Sequence, residues 1–360
     1  MEFKNHFYCV IMAGGIGSRF WPLSRESKPK QFVDILGIGK TFIQLTYERF
    51  SSFISPENFM VVTGKAYKEQ VLEQLPALKE EQVWLEPERR NTAPCLAYAA
   101  YKLREKDPDA VMVVTPADHL IIDTATFSRV MQQSLAYAAG QDRLVTIGIT
   151  PTFPSTGYGY IEVEDKHTAF SRVLSFKEKP DYDRAKSFLE HGGYVWNSGM
   201  FVWSVNTIIR EMTVWLLDIA DAFAGLAESY WTPGEQSAVD KVYVASRSIS
   251  IDFGVMEKSH KVDVTCADFG WSDLGTWTSL YEQSGKDEAE NVLSGEQIIA
   301  NDTRNCFVKE LNPDKLVVAD SLEDLLVVDT EDVLLICPRT DEGRVKQIIE
   351  GSVSLKKEYK

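Results

Sequence analysis

The stretch from Val10 to Gln31 constrains this chain more than any other. The apolar run Phe7–Met12 leads into Ala13-Gly14-Gly15-Ile16-Gly17, and then into Arg19, Arg25, Lys28 and Lys30 set among prolines. A buried strand that opens directly into a glycine-rich loop is suited to cradle phosphate. Glycine lets backbone N–H groups approach an anion that a Cβ would hold off. Glu26 alone opposes the basic side chains of this stretch, yet the 360-residue chain carries a formal net charge of −15. A cationic loop on an acidic chain implies one confined phosphate site. It argues against duplex nucleic acid as a partner, which would demand a basic face.

Downstream, strand and helix patterns alternate. Strands are expected at Phe59–Thr63, Gln82–Leu85, Ala110–Thr115 and Leu144–Ile149, and helices at Thr41–Phe53, Tyr67–Leu75, Thr92–Glu105 and Phe127–Ala139. This spacing implies an α/β fold with a Rossmann-like, doubly wound, mainly parallel mixed sheet. Ligands of such sheets bind beyond the carboxyl ends of the strands. The glycine loop, the Glu86–Asn91 loop and the Pro116-Ala117-Asp118-His119 turn all follow strands, so they should meet on one edge.

The middle of the chain is less regular. Strands are expected from Gly157 and over Val173–Lys179 and Val262–Ala267, with a helix over Tyr182–His191. Tyr194–Trp203 reads as a turn entering a strand, and residues 205–250 read as mostly helical. From about residue 285 the pattern becomes short β runs separated by turn residues, closed by a helix over Gly343–Ile349. We therefore expect a catalytic domain over residues 1–284 and a small β-rich domain over 285–360. No strict repeat marks the second. Its apolar run Leu325-Leu326-Val327-Val328 is expected to pack against the catalytic domain, the alternative being a dimer contact.

Hydrophobic residues make up 44% of the chain and charged residues 25%, as in globular proteins. No stretch approaches the roughly 20 apolar residues that span a bilayer, and the first residues lack signal-peptide architecture. The five cysteines are far apart with no C-x-x-C pair, which suits buried free thiols in a reducing compartment. A cytoplasmic protein with no membrane partner is expected.

Several motifs fail on inspection. Phe20 stands where a dinucleotide fingerprint needs its third glycine. Gly37-Ile38-Gly39-Lys40-Thr41 has Asp34 where a Walker A loop needs glycine, so it reads as a tight turn before a helix. The histidines show no zinc spacing, and no nucleophile elbow appears.

The loop from Gly14 to Gln31, with Arg19, Pro22-Leu23-Ser24 and Pro29-Lys30, resembles the signature of the sugar-nucleotide pyrophosphorylases, which are nucleotidyltransferases. The resemblance narrows to the mannose-1-phosphate guanylyltransferase branch and continues downstream in that branch's order. It runs through Glu86-Pro87 with Arg90-Asn91-Thr92-Ala93-Pro94, Pro116-Ala117-Asp118-His119, Gly157-Tyr158-Gly159-Tyr160-Ile161, Phe176-Lys177-Glu178-Lys179-Pro180, Trp196-Asn197-Ser198-Gly199-Met200-Phe201 and Trp271-Ser272-Asp273-Leu274-Gly275. Lys177 and Phe20 depart modestly from the pattern.

This resemblance implies attack of mannose 1-phosphate on the α-phosphorus of GTP, giving GDP-mannose and pyrophosphate. Ala13, Gly14, Gly15 and Gly17 would cradle the nucleotide, while Arg19 and Lys30 would stabilise charge on the reacting phosphates. Asp118 and Asp273 would hold Mg²⁺, a hard ion suited to paired carboxylates. Lys179 would bind the sugar phosphate, and Gly159, Glu178 and Asn197 would read sugar hydroxyls. Glu86 has its own rationale: a carboxylate accepts from guanine N1–H and the 2-amino group, donors that adenine does not offer together. Asn91 and Thr92 would complete the base pocket.

Relatives in the branch often carry a further C-terminal cupin domain; with the chain ending at Lys360, a monofunctional enzyme is expected, and from relatives a homodimer. Rival readings are a guanylyltransferase for another sugar 1-phosphate, such as a heptose, and a non-catalytic GDP-mannose-binding regulator. Intact Arg19, Lys30, Asp118 and Asp273 speak against the regulator.

Overall fold

A computed structural model describes residues 6–15, 17–341 and 343–351, with Val353, Lys356 and Tyr359. Two compact units are assembled from non-contiguous segments. One comprises Met1–Gly14, Thr46–Ala117 and Ile121–Trp271; the other comprises Gly15–Leu45, Asp118–Leu120 and Ser272–Lys360. This division does not follow a single cut near residue 285, because the glycine loop from Gly15 onward and the Asp118 turn belong with the C-terminal segment.

The first unit is built on a nine-stranded sheet among the described residues. Its strands are β1 (Phe7–Ala13), β2 (Phe59–Gly64), β3 (Val83–Glu86), β4 (Val111–Pro116), β5 (Leu144–Ile149), β6 (Tyr160–Val163), β7 (Ser171–Lys177), β8 (Tyr194–Ser204) and β9 (Val262–Ala267). Their order is β3-β2-β1-β4-β8-β5-β9-β7-β6. β1 to β4 pair in parallel, as the strand–helix alternation requires. β8 then enters antiparallel between β4 and β5.

The expectation of a mere turn into a strand at Tyr194–Trp203 is corrected here, since β8 runs for 11 residues through the sheet. Its alternation is masked because both faces are covered, and such strands lose the period-2 pattern. β8 also pairs with β6, so β8, β5, β9, β7 and β6 close into a ring. Val195, Val264, Ile161 and Val163 form its core. Gly148 on β5 leaves the room, since a Cβ there would lie 2.5 Å from Val195 Cγ2 and 2.8 Å from Val264 Cγ2.

The Thr92–Lys106 helix is buried at every position from Ala93 to Leu103. Small alanines let it pack closely against the Val205–Trp215 and Leu217–Ala224 helices. Asn91 caps its N-terminus, its side chain accepting from Thr92 N at 2.9 Å, and Arg104 and Lys106 complement the dipole at its other end.

In the second unit, β10 (Val292–Ser294), β11 (Ile298–Asn301), β12 (Phe307–Glu310), β13 (Val317–Asp320), β14 (Leu325–Asp329) and β15 (Leu334–Pro338) wind as stacked parallel coils closed by one antiparallel strand. Phe307 lies beside Val292 on one side and Leu326 on the other. The successive offsets are unequal, which is why the sequence shows no strict repeat. Leu326, Val327 and Val328 are buried, Leu326 and Val328 in one core with Phe20 and Trp277, Val327 in another with Cys306 and Val308.

The core of this unit joins Phe20, Trp21, Leu23 and Phe42 to Trp277, Phe307, Leu326, Val328 and Val345. The turn reading of Gly37–Thr41 holds: the Asp34 carboxylate accepts from the N–H groups of Gly37, Ile38 and Gly39 at 2.8, 3.1 and 2.7 Å. The chain's own carboxylate thus fills the anion nest. All five cysteines are free, with Cys266 the least buried. Among the described residues no helix is long and apolar enough to cross a membrane.

Candidate active site

Residues expected to act at one site fall into clusters in each unit. In the first unit, β1 ends at Ala13, whose carbonyl accepts from Thr63 Oγ1 at 2.9 Å. Gly14 follows, and a Cβ there would stand 3.2 Å from Glu86 Oε2. The carboxyl ends of β1 and β3 therefore bring Gly14 and Glu86 together.

Glu86 is buried, and its Oε1 accepts a 3.0 Å hydrogen bond from the hydroxyl of Tyr243. Burial pushes the Glu86 carboxyl up to about 7, against the opposing pull of the Tyr243 hydrogen bond and Arg89. Sequence reasoning missed Tyr243. It lies on the Glu235–Ala245 helix, where an apolar-face tyrosine looks like any core residue.

Asn91 and Thr92 have local work in this structure. Asn91 caps the Thr92–Lys106 helix from a positive φ of 64°, and the Thr92 hydroxyl accepts from Ile251 N at 2.8 Å. Arg90 donates to the carbonyls of Tyr243 and Val244, both at 3.2 Å, at the C-terminus of the Glu235–Ala245 helix. A guanidinium there satisfies orphan carbonyls and suits the helix dipole.

A second cluster in this unit gathers Gly159, Glu178, Lys179 and Asn197. A Cβ on Gly159 would lie 2.8 Å from Glu178 Oε2, so a larger residue there would displace that carboxylate. Lys179 pairs with Glu178 at 3.1 Å and is largely exposed. Asn197 donates to Asp252 Oδ1 at 2.7 Å and accepts from Thr146 Oγ1 at 3.3 Å. Asp252, another residue missed from sequence, opens a π-helical turn over Asp252–Met256, a geometry common at functional sites. Burial raises its carboxyl above the ordinary range, Asn197 opposes that, and Glu178 adds to it. Phe153, Tyr158, Trp196 and Trp271 meet edge-on at ring separations of 4.9 to 5.1 Å and form an aromatic wall adjoining Asn197 in sequence.

In the second unit, Gly17 sits at φ 63°, ψ 33°, and a Cβ on it would fall 2.3 Å from Lys30 Cβ. The Gly15 carbonyl accepts from Gln31 Nε2 at 3.0 Å. The Lys30 ammonium is buried and donates to Asp118 O at 2.9 Å, Asp118 Oδ2 at 3.1 Å and Asp273 O at 2.7 Å. These three contacts match its three donors. Lys30 is therefore a pin joining the Asp118 and Asp273 segments, rather than an exposed cation.

Burial works to raise the Asp118 carboxyl, but the Lys30 charge, His119 and the Lys30 hydrogen bond outweigh it and leave it below the usual range. Asp273 Oδ1 accepts from Gly275 N at 3.0 Å. Arg25 is committed to Asp332 through contacts of 2.7 and 2.5 Å, while Arg19 and Lys28 are exposed. Two of the loop's basic residues are thus neutralised within the fold.

Asp118 meets this ammonium through its carbonyl and its carboxylate, and Asp273 through its backbone carbonyl, while the Asp273 carboxylate accepts from Gly275 N. Among the described residues no cluster of three or more potential metal ligands occurs. Carboxylate oxygens are nonetheless the donor type that Mg²⁺ takes, and that ion ordinarily keeps waters and substrate phosphate oxygens in its shell.

A strand opening into a glycine loop, with a lysine of that loop buried against the Asp118 and Asp273 segments, is an arrangement suited to nucleotidyl transfer. The sequence model of the Nucleotidyl transferase family matches residues 8–290, and the chain belongs to that family. The MannoseP isomerase/GMP-like beta-helix domain matches residues 296–351, which accounts for the coiled strands.

Among relatives, the chain is 39% identical to alginate biosynthesis protein AlgA of Pseudomonas putida, over 95% of this chain and 70% of that one. It is 37% identical to a mannose-1-phosphate guanylyltransferase of Klebsiella pneumoniae, over 95% of this chain and 73% of that one. Among solved structures, a Thermus thermophilus protein described as mannose-1-phosphate geranyltransferase superposes with a TM-score of 0.86 at 30% identity, covering 96% of this chain and 98% of that one.

Proposed function

We propose that this chain transfers the guanylyl group of GTP to mannose 1-phosphate, giving GDP-mannose and pyrophosphate. The observation that carries the reading is Glu86, a buried acceptor lying against Gly14, the residue that follows β1. An ionised carboxylate there pairs with guanine's N1–H and 2-amino group. The relatives' names agree with this choice of base and sugar.

A phosphate oxygen of the sugar attacks the α-phosphorus in line, and pyrophosphate leaves from the opposite side. The sugar phosphate is already ionised at neutral pH, so no general base is needed. Positioning and charge neutralisation carry the rate. In this reading Gly15 and Gly17 offer backbone N–H groups, Arg19 meets the leaving pyrophosphate, and Lys30 fixes positive charge beside Asp118. Asp118 and Asp273 would hold Mg²⁺, which supplies charge neutralisation at the phosphates. Lys179 would take the sugar phosphate, and Glu178, Asn197 and the Gly159 backbone the sugar hydroxyls. Asn91 and Thr92 shape the base pocket through the backbone they fix.

We assign the reacting residues to 1–284, with 285–360 supplying the core partners that hold the loop carrying Phe20 and Trp21. A cytoplasmic location and a homodimer go with this reading, the dimer being checked by light scattering. The central test is pyrophosphate release from four nucleoside triphosphates crossed with several sugar 1-phosphates, with and without Mg²⁺. GTP with mannose 1-phosphate and Mg²⁺ should give the highest kcat/KM; a heptose 1-phosphate in first place would reassign the sugar, and no turnover would remove the enzyme reading.

A further inference from the structure

Glu86 does not stand alone in its pocket. Its Oε1 accepts from the Tyr243 hydroxyl at 3.0 Å, and its Oε2 faces Gly14. Tyr243 is fully buried, and three contacts hold its helix in place. Gln236 donates to the Leu85 carbonyl at 3.1 Å, Arg90 clamps the carbonyls of Tyr243 and Val244, and Ala93 N donates to the Ile249 carbonyl at 3.0 Å just beyond the helix. The Tyr98 ring meets the Tyr243 ring edge-on at 6.4 Å. The hydroxyl is therefore aimed at one oxygen of Glu86 by a rigid scaffold, and this costs the carboxylate nothing as a base reader, because each oxygen has two lone pairs.

We propose that Tyr243 is a specificity-determining positioning residue: its hydroxyl holds Glu86 in the ionised, double-acceptor form that pairs with guanine and rejects adenine. The inference rests on the guanylyl-transfer reading above. The chemistry turns on donor pattern. Guanine presents two adjacent donors, N1–H and the 2-amino group, and an ionised carboxylate presents two acceptors. Adenine presents an acceptor at N1 and a donor at the 6-amino group. A protonated carboxyl, with one O–H and one carbonyl oxygen, matches adenine instead. Base choice therefore follows the charge on Glu86.

The groups that face this carboxyl are few. Tyr243 lies on the Glu235–Ala245 helix, Arg89 on Glu86's own loop, and Cys95 on the Thr92–Lys106 helix. Burial pushes the Cys95 thiol well up, so it stays neutral. Burial and then the Glu86 charge raise the Tyr243 phenol, so it stays a donor. With Glu86 pushed up to about 7 even with its present partners, loss of the Tyr243 hydrogen bond moves it further into the protonated form at neutral pH.

The experiment compares wild type, Tyr243→Phe and Glu86→Gln by pyrophosphate release from GTP and from ATP, with mannose 1-phosphate and Mg²⁺, from about pH 6 to about pH 9. Tyr243→Phe should lower the GTP-over-ATP ratio of kcat/KM about tenfold near pH 7, mostly through KM, with recovery toward wild type at the alkaline end. Glu86→Gln should show a low ratio that is flat with pH. A Tyr243→Phe ratio equal to wild type at every pH, or a loss that alkali does not restore, overturns the proposal. A purely structural role would lower the melting temperature and leave the ratio alone. If wild type shows no turnover, the functional reading fails separately, and calorimetric binding of GTP and ATP over the same pH range still decides the role of Tyr243.

Discussion

Glu86 shows how one side chain can carry a cost and a function together. Burial raises its carboxyl to about 7, above the ordinary carboxylate value. The sign follows from proton counting. Between the unfolded value near 4.5 and the folded value near 7, the folded state binds more protons, so stability falls as pH rises through that window. The full loss is on the order of 3 kcal/mol, at about 1.4 kcal/mol per pH unit of separation. Glu86→Gln should therefore melt close to wild type at about pH 5 and measurably above it at about pH 8, by differential scanning calorimetry. Equal melting differences at both values would contradict the buried-acid description. Lys30 is the converse case. Its burial is compensated because every donor has a partner, as a buried ammonium requires.

At the scale of elements, the ring closed by β8, β5, β9, β7 and β6 decides where Asn197 and Gly159 sit. The Asn197 N–H donates to the Gly159 carbonyl at 2.8 Å, and a shift in β8 would move both residues. Gly148 permits that ring by leaving space for Val195 and Val264. Gly148→Ala should destabilise by about 1–3 kcal/mol, since overpacking a filled core forces side chains off their rotamers. Adding Val195→Ala should recover part of the loss. Denaturant midpoints of the two variants check this, and a second substitution that merely adds its own loss would show that the two sites are not coupled by packing.

At the scale of the whole molecule, the second unit takes the phosphate loop as part of its own core. The Phe20 ring meets Trp277 at 5.1 Å, and Trp277 meets Phe307 at 5.4 Å. Trp21 Nε1 donates to the Tyr359 carbonyl at 2.7 Å, and Arg25 is held by Asp332. A chain cut after residue 284 would leave Phe20, Trp21, Phe42 and Trp277 without most of their packing partners, each large side chain being worth about 2 kcal/mol of burial. Such a truncation should be poorly soluble or lack a cooperative melt, and should give no pyrophosphate release. A soluble, active truncation would show that residues 15–45 fold without the coiled strands.

Much of this was legible in the residues. The parallel strands β1 to β4 announce themselves as apolar runs ending in loops, and the motif order identified the family. β8 was not legible, because a strand covered on both faces loses its alternation. The coils were legible only as short β runs, because unequal offsets between their strands conceal the repeat. Tyr243 and Asp252 were not, because nothing local distinguishes a functional tyrosine or aspartate from a structural one.

The glycine loop marks the boundary between the two kinds of knowledge. Sequence alone determined that a strand ends there in a backbone open to phosphate, since glycine's freedom and a run of basic residues are local properties. Which of those charges remain available was decided by tertiary structure. Arg25 meets Asp332 and Lys30 meets Asp118 across long stretches of chain, and only folding determines which carboxylate arrives beside which cation.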